Sequence, residues 1–210
     1  MYKRIGKRLL DILIAVIGLP FFAIIYIIFA PIIYFTDKGH IFYNAPRLGL
    51  NGKIFNMYKF RSMKVNAPDI RNADGSTYNS PNDSRVTKIG RFMRKTSLDE
   101  LPQLLNVLKG DMSIVGPRAF LTTKFKSLEL LSDRERKRLS VRPGITGYSQ
   151  AYFRNSASMD KKIEDDCYYV DHLSFFMDLK ILFKTVESVL RHENIYISLD
   201  AQEKEGAGQQ

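Results

Sequence analysis

Ile12-Leu13-Ile14-Ala15-Val16-Ile17-Gly18-Leu19-Pro20-Phe21-Phe22-Ala23-Ile24-Ile25-Tyr26-Ile27-Ile28-Phe29-Ala30-Pro31-Ile32-Ile33-Tyr34-Phe35-Thr36 carries no charged residue over 25 consecutive positions. As a straight helix at 1.5 Å per residue it would reach about 37 Å, enough to cross a hydrocarbon core of about 30 Å. A cleavable leader has a similarly basic start, but its apolar core covers only about 7–15 residues. Pro31 also directly follows Ala30, the best small-residue candidate for cleavage. The run therefore reads as a retained, membrane-embedded element.

Two details bear on how it sits. Gly18 and Pro20 lie near its middle, and Pro20 removes a backbone donor and crowds the preceding turn. Basic residues flank both ends: Lys3, Arg4, Lys7 and Arg8 before it, Lys38, Arg47 and Lys53 after it. The positive-inside tendency then draws both ends to the cytoplasm. A re-entrant helix broken at Gly18 and Pro20 satisfies both observations; a Pro-kinked single span stays open on these residues alone.

Working outward, the 210 residues suit one domain with an appended element. The expected division is a membrane element over residues 1–36, a cytoplasmic domain at the membrane surface over 37–200, and a flexible tail over 201–210. Apolar residues at 45% exclude wholesale disorder. A single cysteine, Cys167, excludes a disulfide framework and a Cys-based zinc site. The net charge of +10 points to anionic partners, either phosphates, acidic lipid head groups or nucleic acid. No zinc finger or RNA-recognition signature accompanies it, so nucleic acid is not expected as a partner. No Walker loop exists, and His40, His172 and His192 lack metal-ligand spacing.

Beyond the apolar run, residues 40–61 predict a β-hairpin turning at Asn51-Gly52. Residues 66–85 are polar and turn-rich and predict a surface loop, with a flap over a site as one use for it. Residues 97–109 predict a short helix, with Leu101, Leu104, Leu105 and Leu108 at helical spacing. Residues 120–140 read as a charged helix, and 158–171 as a polar-faced one on which Glu164-Asp165-Asp166 is solvated. Residues 173–192 predict an amphipathic helix with Phe176, Leu179, Phe183, Val186 and Leu190 on one stripe. Core packing is the expectation for that stripe; the alternative is a helix in the membrane interface, with Lys180, Lys184 and Arg191 toward head groups. The fold class is an α-rich α+β arrangement with a re-entrant membrane helix, amphipathic interface helices and a small β-hairpin.

The densest chemical candidate is Ser97-Leu98-Asp99-Glu100-Leu101-Pro102-Gln103. Ser97 and Glu100 spell a capping box, which spacing alone favours. The same geometry would set two carboxylates at a helix N-terminus, where backbone amides and the helix dipole attract phosphate. A carboxylate there could act as a nucleophile or a metal ligand. Lys59, Arg61, Arg91, Arg94, Lys95, Arg118 and Arg142 are spread so that, with nearby turn glycines, some could cradle a diphosphate.

With Tyr58-Lys59-Phe60-Arg61-Ser62-Met63, the carboxylate motif, Lys109-Gly110-Asp111-Met112-Ser113-Ile114-Val115-Gly116-Pro117-Arg118 and Arg142-Pro143-Gly144-Ile145-Thr146-Gly147 in this order, the chain resembles the bacterial sugar transferases, or monotopic phosphoglycosyl transferases, over about residues 1–192. It looks like their minimal catalytic form. The resemblance implies transfer of a sugar-1-phosphate from a UDP-sugar to a polyprenyl phosphate such as undecaprenyl phosphate, releasing UMP. It implies Mg2+, contact with membrane lipids and a catalytic domain on the cytoplasmic face of the inner membrane, and it leaves room for a homo-oligomer. By motif position Asp99 would be the nucleophile and Glu100 the metal ligand. Lys59, Arg94, Arg118 and Arg142 would contact substrate phosphates. Ala119 stands where a second proline commonly follows, Tyr148 replaces a usual tryptophan, and Gln150 to Asn155 lacks the familiar Asn-Gly, so no sugar is named. Two other classes, a membrane-bound nucleic-acid binder and a non-catalytic scaffold, compete with this reading.

Overall fold

The computed structural model describes residues 2–70, 78, 80, 82–122, 128–154 and 156–191. After a short π-helical turn at Tyr2–Gly6, helix α1 runs over Lys7–Asp37. The strands are β1 (Phe42–Leu48), β2 (Ile54–Phe60), β3 (Ser113–Val115), β4 (Phe120–Leu121) and β5 (Gly144–Thr146). The remaining helices are α2 (Lys88–Thr96), α3 (Gln103–Lys109), α4 (Asp133–Arg138), α5 (Tyr148–Phe153), α6 (Met159–Asp171) and α7 (Phe175–Arg191). Helices dominate two small sheets, an antiparallel β2-β1-β4 and a parallel β3-β5 pair, so the α-rich α+β expectation holds.

α1 is the one helix among the described residues long and apolar enough to cross a membrane. Helical structure continues through Gly18, Pro20 and Pro31, so the expected break does not interrupt the helix. Gly18 instead marks a close approach: a Cβ there would lie 2.9 Å from Leu104 Cδ1 of α3. The 31-residue helix, about 46 Å long, rests on the rest of the chain from end to end. Near its start Lys7 pairs with Asp178 at 2.7 Å, and Asp11 accepts from Ser113 Oγ and the Ile114 amide, each at 2.9 Å. Midway, Phe22 meets Phe60 and Tyr26 stacks on Phe42. At its end Arg61, itself buried, donates to the Ile33 carbonyl at 3.0 Å and pairs with Asp37. The opposite face, including Ile17, Phe21, Ile24 and Ile27, is exposed. Such an apolar, outward-facing surface fits membrane association.

The hairpin forms as expected. Asn51 and Gly52 both adopt positive φ (53° and 76°), the conformation that makes Asn-Gly the preferred turn pair. α3 closes the outer edge of β2 through one side chain: Asn106, fully buried, accepts from the Tyr58 amide at 2.9 Å and donates to the Asn56 carbonyl at 2.8 Å. A side-chain amide thus replaces a neighbouring strand. The main core gathers Phe55, Met57, Val107, Met112, Tyr169 and Ile181 among others.

Several expectations are corrected. Residues 120–140 are not one helix: β4 opens the segment, 123–127 lie outside the described residues, and only Asp133–Arg138 is α-helical. The capping-box chemistry occurs there, where Ser132 and Glu135 cap α4 reciprocally. Asp165 and Asp166 are buried rather than solvated, and Asp166 pairs with buried Arg138 at 2.6 Å. α7 turns Asp178, Ile181 and Ser188 inward and leaves Phe176, Phe183, Val186 and Leu190 exposed, so its apolar stripe is not core. Much of the expected loop over 66–85 and the tail over 201–210 lie outside the described residues; Asp83 and Arg85, at the loop's end, form a buried bidentate pair.

Candidate active site

Three backbone arrangements bring the site together. α2 starts with Thr87 accepting from the Gly90 amide, and it lies so close to the preceding strand segment that a Cβ on Gly90 would meet the Ser62 carbonyl oxygen at 1.9 Å. This contact fixes Arg94, whose Nε donates to Ser62 Oγ at 2.9 Å. A second tight crossing joins Gly116-Pro117-Arg118 to Pro143-Gly144: the Gly144 amide donates to the Pro117 carbonyl, and a Cβ on Gly116 would lie 2.4 Å from the Arg142 carbonyl oxygen. Neither crossing leaves space for a side chain, and Arg118 emerges from it toward the carboxylates. The third is the turn after α2, where Ser97 adopts φ +59° and a 3-10 turn over Leu98–Glu100 follows.

That turn carries the two carboxylates. Ser97 closes α2 in the left-handed region and makes no side-chain cap, so the capping box expected from Ser97 and Glu100 does not form. Glu100 is turned toward cations instead. Its Oε1 accepts from Lys59 Nζ at 2.6 Å and lies 3.8 Å from Arg118 Nη2. Burial would raise the Glu100 pKa, but Lys59, Arg118 and Arg154 together hold it below the ordinary carboxylate value. Asp99 is 9% exposed. Burial pushes its carboxyl up to about 6, Lys59 and Arg94 pull the other way, and the Glu100 charge adds to the rise. Adjacent carboxylates are thereby split into a firmly ionised anion and a more basic one, the separation that lets such a pair divide two roles.

Of the residues singled out from sequence, Lys59, Arg94 and Arg118 surround Asp99 and Glu100. Arg142 does not join them: its Nε donates to the Gly110 carbonyl at 2.8 Å, at the C-terminal end of α3. Arg8 donates to the Val107 and Leu108 carbonyls at the same end, so both cations satisfy helix-terminal acceptors. The profile of the bacterial sugar transferase family matches residues 2–192. The chain belongs to that family.

Among the relatives of this sugar transferase, an uncharacterized sugar transferase, EpsL, of Bacillus subtilis is 44% identical over 189 residues, 90% of this chain and 89% of EpsL. The undecaprenyl-phosphate galactose phosphotransferase of Salmonella typhimurium is 42% identical over 171 residues, 76% of this chain and 35% of that protein. The UDP-glucose:undecaprenyl-phosphate glucose-1-phosphate transferase of Klebsiella pneumoniae is 40% identical over 185 residues, 86% of this chain and 39% of that protein. The chain thus spans most of EpsL but well under half of the other two.

Sequence reasoning missed Arg154 of this sugar transferase. Its Nη2 donates to Ser97 Oγ at 3.2 Å and its charge bears on Glu100. It holds φ +49° and ψ −111°, a conformation costly for a residue with a Cβ and typical of functional sites. Its position beyond the Gly147 motif was visible in the sequence, but no spacing rule points from there to residue 97. For a hard divalent cation the donor set is Asp99 and Glu100; among the described residues no group of three or more His, Cys, Asp or Glu gathers. One or two carboxylates completed by phosphate oxygens and water suit a magnesium-like ion, so the pair fits one that arrives with a diphosphate.

Proposed function

We propose that this sugar transferase moves a sugar-1-phosphate from a UDP-sugar to a polyprenyl phosphate, releasing UMP, at the cytoplasmic face of the membrane. One observation carries the reading: a buried, basic Asp99 lies beside an ionised Glu100 within a ring of Lys59, Arg94, Arg118 and Arg154, in a domain bound along its length to an apolar helix. Cations around carboxylates recruit a diphosphate, and the apolar helix brings the site to a lipid acceptor. The names of the Salmonella and Klebsiella relatives, both giving undecaprenyl phosphate and the latter also UDP-glucose, support the acceptor and donor classes.

In this account a carboxylate oxygen of Asp99 attacks the phosphorus bearing the sugar. The bond from that phosphorus to the UMP oxygen breaks, and UMP leaves with the electron pair. A phosphate oxygen of the polyprenyl phosphate then attacks the same phosphorus and frees the Asp99 carboxylate. Lys59, Arg94 and Arg118 hold the diphosphate oxygens and lower the repulsion between carboxylate and phosphate. Mg2+ held by Glu100 with Asp99 would supply further charge neutralisation of the diphosphate. Glu100→Gln should slow the reaction severely and flatten its response to added Mg2+.

The contacts at both ends of α1 support a helix that enters and leaves the membrane on the side of the catalytic domain. The direct test of function is a panel of UDP-sugars with polyprenyl phosphate, read as UMP release. Release with one or more donors is expected; none from any donor would overturn the reading.

A further inference from the structure

The Arg118 side chain is 53% exposed, and its approach to Glu100, at 3.8 Å, is longer than a hydrogen bond. Side-chain packing therefore does little to aim it, and its direction is inherited from the backbone at its root. Three contacts fix that backbone. The Gly144 amide donates to the Pro117 carbonyl at 2.9 Å. Arg138 of α4 donates from Nη2 to the Arg118 carbonyl at 3.3 Å, and its guanidinium stands over the Phe120 ring, 4.6 Å from the centroid. One buried side chain thus grips residues 118 and 120 together, where the chain leaves the Gly116-Pro117 crossing. Because the peptide is planar, holding that carbonyl also sets ψ at Arg118.

Arg138 is fixed in turn by Asp166 of α6. The same Nη2 lies 2.6 Å from Asp166 Oδ2, and both residues are buried. Burial raises the Asp166 carboxyl, while the charge of Arg138 and, more weakly, that of Arg118 draw it back, so Asp166 lies in the field of both guanidiniums. A buried ion pair adds little net stability, because desolvating two charges offsets their attraction, and an apolar pair of similar volume often serves as well. An apolar pair cannot donate to the Arg118 carbonyl. From this geometry we infer that Arg138 and Asp166 are positioning residues for Arg118: Asp166 orients the Arg138 guanidinium, which fixes the backbone from which Arg118 reaches the diphosphate of the donor. The inference rests on the reading of Arg118 as a diphosphate contact.

The test is a double-mutant cycle read in the binding of UDP, which carries the diphosphate and has no sugar to transfer. UDP with Mg2+ is titrated into the full chain in lipid nanodiscs, and its Kd is read by calorimetry. Arg138→Lys keeps the charge but loses the planar fork. Arg138→Met combined with Asp166→Leu replaces the pair by apolar side chains, and guards against a single variant that fails to fold. Each should weaken UDP binding by about tenfold, yet by less than about twofold when Arg118→Ala is also present, the signature of residues that act through one another. The kcat/KM for UDP-sugar should show the same dependence. Equal losses with and without Arg118, or no loss from either variant when Arg118 is present, would overturn the inference. So would a UDP affinity that Arg118→Ala leaves unmoved. UDP binding needs no turnover, so a protein that shows the coupling yet releases no UMP from any UDP-sugar would refute the proposed reaction and leave the positioning role standing.

Discussion

Burial holds a proton on Asp99 that the unfolded chain has already lost between about pH 4 and 6, since its carboxyl is pushed up to about 6. Over that window the native state binds the extra proton, so stability falls as pH rises; above about 6 the penalty is complete and constant. Asp99→Asn removes it and should be more stable than wild type by on the order of 1–3 kcal/mol at pH 8. The advantage should shrink toward pH 4 in thermal melts, while the variant still binds UDP-sugar in calorimetry. At Arg118 the tight Gly-Pro turn aims a guanidinium at Glu100, whereas Lys180 is an exposed charge on α7. Arg118→Ala should therefore lower kcat/KM for UDP-sugar by about 2–4 kcal/mol of transition-state stabilisation, and Lys180→Ala should leave it within threefold. Equal, small effects would mean that basic residues serve only to attract the membrane. Asp99, Glu100 and Arg118 were legible in the sequence because long motifs hold them. The roles of Ser97 and Arg154 were not, because each depends on a positive φ that no residue pattern announces. The burial of Asp166 was hidden too: its partner Arg138 lies 28 positions away on another helix.

Among elements, α3 is held to β2 by the buried Asn106, and its loss leaves the half-buried Tyr58 amide and the Asn56 carbonyl without that partner. Asn106→Ala should destabilise the domain by about 1–3 kcal/mol in denaturant titrations; a change under about 0.5 kcal/mol would show that the edge of β2 is closed by something else. α7 has the opposite problem, an apolar face with nothing of the described chain over it. Phe183 is 69% exposed, and a face of that kind is expected in the lipid interface. An environment-sensitive dye on Phe183→Cys, in a Cys167→Ser background, should shift to the blue in vesicles and be quenched by lipid-borne quenchers. The same dye on Glu164→Cys of α6 should stay aqueous. Identical spectra at the two positions would remove α7 from the membrane. The hairpin was readable because Asn51-Gly52 names its own turn. The stripe on α7 misled because core-facing and lipid-facing apolar residues follow the same period. The β3-β5 pair escaped notice because three-residue strands are too short for any alternation to register.

At the scale of the molecule, α1 has the length and apolar face that fit membrane association and is also a structural wall. Polar partners hold it near both ends, through Lys7 with Asp178 and Asp37 with Arg61, and aromatic contacts hold its middle. A straight perpendicular crossing would have to carry part of the domain into the bilayer or break those contacts. Both ends are therefore expected on one side: Lys3→Cys and His40→Cys, each in a Cys167→Ser background, should react with the same impermeant reagent from the cytoplasmic side only. Labelling of one of them from outside would establish a full span. The proposed two-step transfer through Asp99 draws on the charge split at the carboxylates, the cation ring and the apolar helix. The measurement that tests this most directly is rapid-quench UMP formation without lipid acceptor, paired with intact-mass analysis of the protein. The account predicts a stoichiometric burst of UMP and an added phosphosugar mass, both abolished in Asp99→Asn and discharged by polyprenyl phosphate. Wild-type protein that turns over normally with lipid, yet shows neither burst nor adduct without it, would contradict the account and reduce Asp99 to a metal ligand in direct transfer.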